Sequence, residues 1–407
     1  MLVYNLSIHI YGLAVRIAAL FIPKAAQWVE GRKSFFKDLP VAEQGHVIWF
    51  HCASLGEFEQ GRPIIESWKK KYPDHFILLT FFSPSGYEVR KNYEFANHCC
   101  YLPLDTPSNA RKFIAHFQPK IAFFVKYEFW LNYIESAQKT NCKLYSISTL
   151  LNQNHRFFKW YGGVFRKGLT HFQHFFVQDE QTKHLLATIG IDSVTRVGDT
   201  RYDRVNDRVK EQNTNEYLKN WIAPEDKVLV VGSSWKEDEE ILIPYINGNN
   251  HFDKVIFAPH EVNETNVNHI LSELQVTVET YTHIQQSGRI NETTQVVMLN
   301  CIGVLADAYQ YGTIAYVGGA FKTGLHNILE PATFGLPVLF GPNHVKFPEA
   351  SMFISAGIGT AVQSMDELRY AMQTQLGELE QLQPRVKAFI ASQIGARERI
   401  MQWFEKN

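Results

Sequence analysis

Several short strings in this 407-residue chain place acidic, basic or small residues where an apolar run has just ended. The first, His51 to Glu59, contains Ser54, Gly56 and Glu57. A serine followed three residues later by a glutamate has the spacing of a capping box, in which the carboxylate accepts the serine's backbone N–H. A glutamate beside a glycine at a strand-to-helix mouth also suits a general base that takes a proton from a substrate hydroxyl. The two readings are compatible. The second string, Val125 to Trp130, leaves Lys126 and Glu128 directly after an apolar run. A buried unpaired charge is costly, so these side chains form an ion pair at a rim or meet a ligand.

Two further strings lie in the second half. Gly232-Ser233-Ser234 is followed by Trp235 and Lys236. Small residues there let backbone N–H groups approach an anion, and the helix expected next adds its positive dipole end. The acidic run 237–240 fits a first helical turn that complements that dipole. Residues 316–331 carry Gly318 and Gly319 at the end of an apolar run and Gly324 in a loop, with a helix predicted to begin near His326. That spacing suits either a phosphate-cradling turn or glycines that simply allow close packing. Glu330, one turn into the predicted helix, is placed to accept both hydroxyls of a ribose. His260 ends another run, as a donor to phosphate or as a plain rim histidine.

These strings must be carried by strands. Runs rich in β-branched and aromatic residues recur at 47–52, 76–82, 121–125, 143–147, 175–178 and 194–198, then at 227–232, 254–258, 295–299, 313–318 and 337–341. Continuous apolar runs of this length, separated by stretches able to form crossover helices, predict parallel α/β sheets. We read two doubly wound domains, 24–205 and 227–407 with terminal helices, joined by a linker at 206–226 that has room for a short helix of its own. Ligands of such folds bind at the carboxyl ends of the strands, here expected in a cleft between the two domains.

Residues 1–23 are mostly apolar but include Asn5, Ser7, His9 and Arg16, and Lys24, Arg32, Lys33 and Lys37 follow. Positive charge after rather than before the apolar stretch does not fit a cleaved signal. The segment reads as a helix lying in a membrane interface or as the buried first helix of a domain. Lys plus Arg total 40 against 41 Asp plus Glu, a net charge of -1, so no nucleic-acid partner is predicted. The five cysteines include no C-x-x-C pair, which favours a reducing compartment. With neither H-E-x-x-H nor D-x-D present, no metal or other cofactor is called for.

In series, Ser54-Leu55-Gly56-Glu57, Tyr101-Leu102-Pro103-Leu104-Asp105, Glu128-Phe129-Trp130, Gly232-Ser233-Ser234 and Gly324-Leu325-His326-Asn327-Ile328-Leu329-Glu330-Pro331 resemble the 3-deoxy-D-manno-octulosonic acid (Kdo) transferases of lipopolysaccharide assembly. The resemblance implies a GT-B glycosyltransferase with two Rossmann-like domains, on the cytoplasmic face of the inner membrane. It would move Kdo from CMP-Kdo to a lipid A precursor with inversion and without a cofactor. It makes Glu57 the catalytic base and assigns the donor to Ser233, Ser234, Lys236, His260, Gly318, Gly319, Gly324, His326, Asn327 and Glu330. Ser54, Gly56, Lys126, Glu128, Arg32 and Lys33 are expected at the acceptor, with the last two near its phosphates. The chain departs from the family pattern at Pro259, where an arginine is usual, at Leu336 in place of a lysine, and near Asn152, where Arg156 is the available substitute. Alternative readings are a GT-B enzyme for another nucleotide sugar, a nucleotide-sugar epimerase, or a non-catalytic membrane-bound nucleotide-sugar-binding protein.

Overall fold

Apolar strands need both faces covered, and a computed structural model shows how the chain does this twice. It describes residues 1–33, 35–37, 39–41, 46–211, 213–248, 251–322 and 324–407. In the first sheet the strands are β1 (Val47–Cys52), β2 (Phe76–Phe81), β3 (His98–Tyr101), β4 (Ile121–Val125), β5 (Lys143–Thr149), β6 (Phe172–Val177) and β7 (Val194–Arg196). Their order is β3-β2-β1-β4-β5-β6-β7, with every neighbouring pair parallel. The second sheet contains β8 (Val228–Ser234), β9 (Lys254–Pro259), β10 (Val278–Thr280), β11 (Val296–Met298), β12 (Ile314–Val317), β13 (Val338–Phe340) and β14 (Gly359–Ala361). Its order is β10-β11-β9-β8-β12-β13-β14, again parallel.

The strand order reverses direction between β1 and β4 in one sheet and between β8 and β12 in the other. At such a switch point the flanking crossovers run to opposite faces and leave a crevice beyond the carboxyl ends. β1 leads into Ser54–Glu57 and β4 into Lys126–Trp130, while β8 leads into Trp235 and β12 into Gly318. All four strings therefore stand at switch points. Three strands escaped the sequence reading: β3, β10 and β14. Each is an edge strand of three or four residues in which a polar or small residue, His98, Glu279 or Gly359 with Thr360, keeps a continuous apolar run from forming.

The chain forms two compact units, Met1–Arg204 with Gln393–Asn407, and Val205–Ser392. The expected second domain through residue 407 is thus corrected, because the last helix, Ala396–Lys406, belongs to the first unit. Its Ala396 and Ile400 are buried in the core under β1 and β4, and Phe404 packs edge-on against Phe123 and Tyr145. Asp203 accepts the Gly395 and Arg397 backbone N–H groups, and Arg399 donates to the Val197 carbonyl. The expected linker at 206–226 does carry a short helix, but the segment is corrected from a linker to part of the second unit. It contains the end of the helix Thr200–Lys210 and the helix Glu216–Trp221, whose Leu218 and Trp221 are buried in the second unit's core.

Before β1 come helices α1 (Leu2–Ala18) and α2 (Pro23–Glu30). On α1 only Ile8 and Gly12 are buried, whereas Leu2, Leu6, Ile10, Leu13 and Ile17 are exposed, as are Leu20 and Phe21 beyond it. Tyr4 ties the helix down by donating to Asp105, which also accepts the Asn132 and Tyr133 backbone N–H groups. Among the described residues no helix is long and apolar enough to cross a membrane.

Candidate active site

In the first unit, helix α3 (Leu55–Lys71) starts directly after β1. Glu57 occupies its third position, and its Oε2 accepts the Ser54 backbone N–H at 2.9 Å, so the capping role is present. Glu57 as a whole is only 8% exposed. Burial pushes its pKa up to about 7; the Glu128 charge adds to this, while Lys126 and the Ser54 and Ala53 backbone N–H groups oppose it. A carboxyl balanced near neutrality is matched to general-base work at physiological pH. Ser54 is half-buried, and the Cβ position of Gly56 faces open space, so a ligand can approach the helix start there.

Lys126 and Glu128 follow β4 as expected. Lys126 adopts φ 68°, an unusual left-handed conformation for a residue with a side chain, which turns the chain sharply out of the strand. No ion pair within 4.0 Å joins Lys126 to Glu128 among the described residues. Burial raises the Glu128 pKa, with Lys126 and Arg156 pulling it back. Arg156, four residues after the departure at Asn152, places its charge on this carboxylate.

Arg32 is placed differently from a surface phosphate ligand. Its guanidinium lies over the rings of Trp28, Tyr101 and Phe82 and donates to the carbonyls of Leu102, Trp28 and Phe82. Burial lowers its pKa to about 9. It joins α2 to the ends of β2 and β3, so its first task is structural. Lys33 is exposed and paired with Glu30. Both residues nevertheless border a hollow of about 710 Å³ together with His9, Leu13, Arg16 and Lys37.

In the second unit the central residue is Asp238, fully buried, in the first turn of the helix Lys236–Asn247. It accepts the Trp235 backbone N–H at 2.9 Å, the Gly319 backbone N–H at 2.8 Å and the Tyr316 hydroxyl at 2.8 Å. One carboxylate thus pins the turn after β12 to the turn after β8. Gly318 packs so closely that a Cβ would come within 2.4 Å of the Ser233 carbonyl oxygen. At Gly319, φ is 95° and a Cβ would come within 2.3 Å of the Gly324 oxygen, so only glycine closes this turn. Gly324, with φ 121°, returns its N–H to the Gly319 carbonyl.

Ser233 is half-buried with φ 54°. The Ser234 side chain turns inward and donates to Glu239 at 3.0 Å, so it shapes the turn and does not face a ligand. The predicted helix near His326 is corrected: the helical segment is Leu329–Thr333, only five residues, and 324–327 is irregular. Its end adds little dipole, leaving backbone and side-chain donors as the means of holding an anion. Asn327 stabilises this segment by accepting the Leu329 N–H and donating to Glu330.

Trp235 Nε1 donates to His326 Nε2 at 2.9 Å, which makes that nitrogen the acceptor and puts the His326 proton on Nδ1. Burial, helped by His260, lowers its pKa to about 4, so His326 is a neutral donor at pH 7. The His260 ring stacks on Trp235 at 4.4 Å and on His326 at 4.5 Å. Lys236 is exposed at the helix start and supplies positive charge. Asp238 and Trp235 were missed as site residues because an acidic run after a strand looks like ordinary dipole compensation. The spacing of Trp235 three residues before Asp238 was the available signal.

A family model described as "3-Deoxy-D-manno-octulosonic-acid transferase (kdotransferase)" matches residues 27–204. Curated relatives include a 3-deoxy-D-manno-octulosonic acid transferase from Chlamydophila psittaci, 26% identical over 80% of this chain and 76% of its own length. Another from Chlamydia muridarum is 24% identical over 79% and 76%. The chain is thus similar to Kdo transferases over about three quarters or more of its length. It is accordingly a glycosyltransferase. Among solved structures it resembles a UDP-GlcNAc 2-epimerase from Neisseria meningitidis, with TM-score 0.63 and 15% identity over 89% of this chain and 100% of that one. A UDP-GlcNAc 2-epimerase from Methanocaldococcus jannaschii gives TM-score 0.59 and 14% identity over 89% and 100%. At those identities the likeness is one of fold, and that fold is GT-B.

Proposed function

We propose that this chain is a Kdo transferase that moves Kdo from CMP-Kdo to a hydroxyl of a phosphorylated lipid A precursor, inverting the anomeric centre, with Glu57 as general base. The observation that carries this reading is a buried carboxyl with a pKa of about 7 at the β1 switch point, within the stretch that matches the Kdo transferase family model. The Glu57 carboxylate takes the proton of the acceptor hydroxyl as its oxygen forms the bond to the anomeric carbon. The bond from that carbon to the CMP phosphate breaks, and the electron pair leaves with CMP. In the second unit the Gly318–Gly319 turn, the His326 Nδ1–H, His260 and Lys236 hold the nucleotide and meet the negative charge growing on the phosphate. Ser233, Gly324, Asn327 and Glu330 complete the donor side.

The exposed apolar face of α1, with Arg16 on it and Lys24 just after it, supports attachment to a bilayer surface, which we assign to the cytoplasmic face of the inner membrane. The acceptor's phosphates would then meet Arg16, Lys33 and Lys37 around the hollow beside α1 and α2. Ser54, Gly56, Lys126 and Glu128 complete the acceptor side. Incubation with CMP-Kdo generated in situ and a tetraacyl lipid A precursor, followed by mass spectrometry, tests the reading. A mass increase of one or more Kdo residues supports it, and binding of UDP in preference to CMP points instead to a UDP-sugar enzyme.

A further inference from the structure

A fully buried histidine, His51, lies on β1 six residues before Glu57 and takes no part in the chemistry above. Its Nε2 faces the indole N–H of Trp130 at 3.0 Å, and its Nδ1 faces Thr80 Oγ1 at 2.9 Å. An indole N–H only donates, so Nε2 must accept and the ring proton must sit on Nδ1. Thr80 Oγ1 then receives two donors, His51 Nδ1 and Trp49 Nε1 at 2.8 Å, and its own hydroxyl points to the Phe50 carbonyl at 3.4 Å. The chain of bonds has one consistent direction, and only a neutral imidazole in one tautomer completes it. Burial keeps the ring neutral by lowering its pKa to about 3. A buried polar chain in which each donor meets an acceptor is rigid, and breaking one link leaves an unsatisfied group behind.

Trp130 carries this rigidity outward. It is half-buried, stacks on Phe82 at 4.6 Å, and with Phe82, Tyr11, Glu128 and Arg156 lines a cavity of about 570 Å³. Glu128 is the carboxylate whose charge acts on Glu57. Stacked aromatic rings beside a carboxylate and a guanidinium suit a sugar ring, whose C–H face meets aromatic carbon while its hydroxyls and anionic substituents meet the charged groups. We propose that this cavity is the subsite for the acceptor's sugar ring and that His51 is its positioning residue, holding Trp130 through the indole N–H. The proposal rests on the acceptor reading given above and adds the site's aromatic wall and the buried residue that fixes it.

The test uses the full-length chain. His51→Leu removes the acceptor of the indole bond, His51→Gln retains an acceptor and a donor, and Trp130→Phe removes the indole N–H and also reduces the ring that stacks on Phe82. The Trp130 indole N–H resonance, assigned by its absence in Trp130→Phe, is expected to move in His51→Leu and return toward its native position in His51→Gln. In steady-state transfer, the lipid A precursor KM should rise about tenfold in His51→Leu and Trp130→Phe, with kcat and CMP affinity within about twofold of native, and should recover in His51→Gln. If His51→Leu does not fold, Trp130→Phe alone carries the kinetic comparison. An unchanged acceptor KM in Trp130→Phe, or a loss confined to kcat, overturns the positioning role. A native chain that binds CMP but transfers no Kdo to this precursor overturns the acceptor reading itself. The resonance, read without acceptor, separates that failure from a failure of the His51 bond.

Discussion

Replacing Glu57 with glutamine removes an ionisable oxygen and changes little else in shape. The native carboxyl titrates at about 7 instead of its ordinary 4.5, mainly through burial and then through the Glu128 charge. In the unfolded chain it returns to its ordinary value. Between those two pH values the folded chain keeps a proton that the unfolded chain releases. A raised carboxyl pKa therefore lowers native stability as pH increases, by about 1.4 kcal/mol per pH unit across that window. By pH 8 the accumulated penalty is about 3 kcal/mol. Glu57→Gln has no such proton to lose, and its amide oxygen still accepts the Ser54 N–H. The variant should gain roughly 2–3 kcal/mol over native on going from pH 5 to pH 8. The free energy of opening at β1 and β4 amides, measured by hydrogen exchange at both pH values, reads this difference in the first unit. Turnover should meanwhile fall about 10²–10⁴-fold, with CMP binding intact. An equal stability gap at pH 5 and pH 8 would refute the raised pKa, and native turnover in the variant would remove Glu57 from the role of base.

Because Lys126 lowers the Glu57 pKa and Glu128 raises it, Lys126→Gln should move the acidic limb of the rate profile upward from about pH 7 and Glu128→Gln should move it downward; shifts in the same direction would contradict the assigned couplings. Gly319→Ala forces a Cβ against the Gly324 oxygen in a left-handed turn, so it should cost about 1–3 kcal/mol of stability and abolish CMP binding, as read by thermal unfolding and calorimetry. Removing residues 393–407 exposes the core around Phe123 and Tyr145, so hydrogen exchange should accelerate at β4 and β5 and stay unchanged at β8 and β12.

The sequence by itself determined the α/β class, eleven of the fourteen strands among the described residues, and the four strings at their carboxyl ends, because buried parallel strands announce themselves as apolar runs and the chemistry begins where the runs stop. It also showed the Ser54–Glu57 spacing, since a capping box is closed within one turn of chain. Tertiary structure alone decided that Arg32 is a half-buried clamp, that Ser234 points inward to Glu239, and that Asp238 fastens two turns about eighty residues apart. It decided as well that the last helix returns to the first unit, where Asp203 and Val197 supply its partners. The physical reason is common to all of these. A hydrogen bond or ring contact between distant segments leaves no period in the sequence, and the pKa of a group such as Glu57 depends on what burial and neighbouring charges do to it once the chain has closed around it.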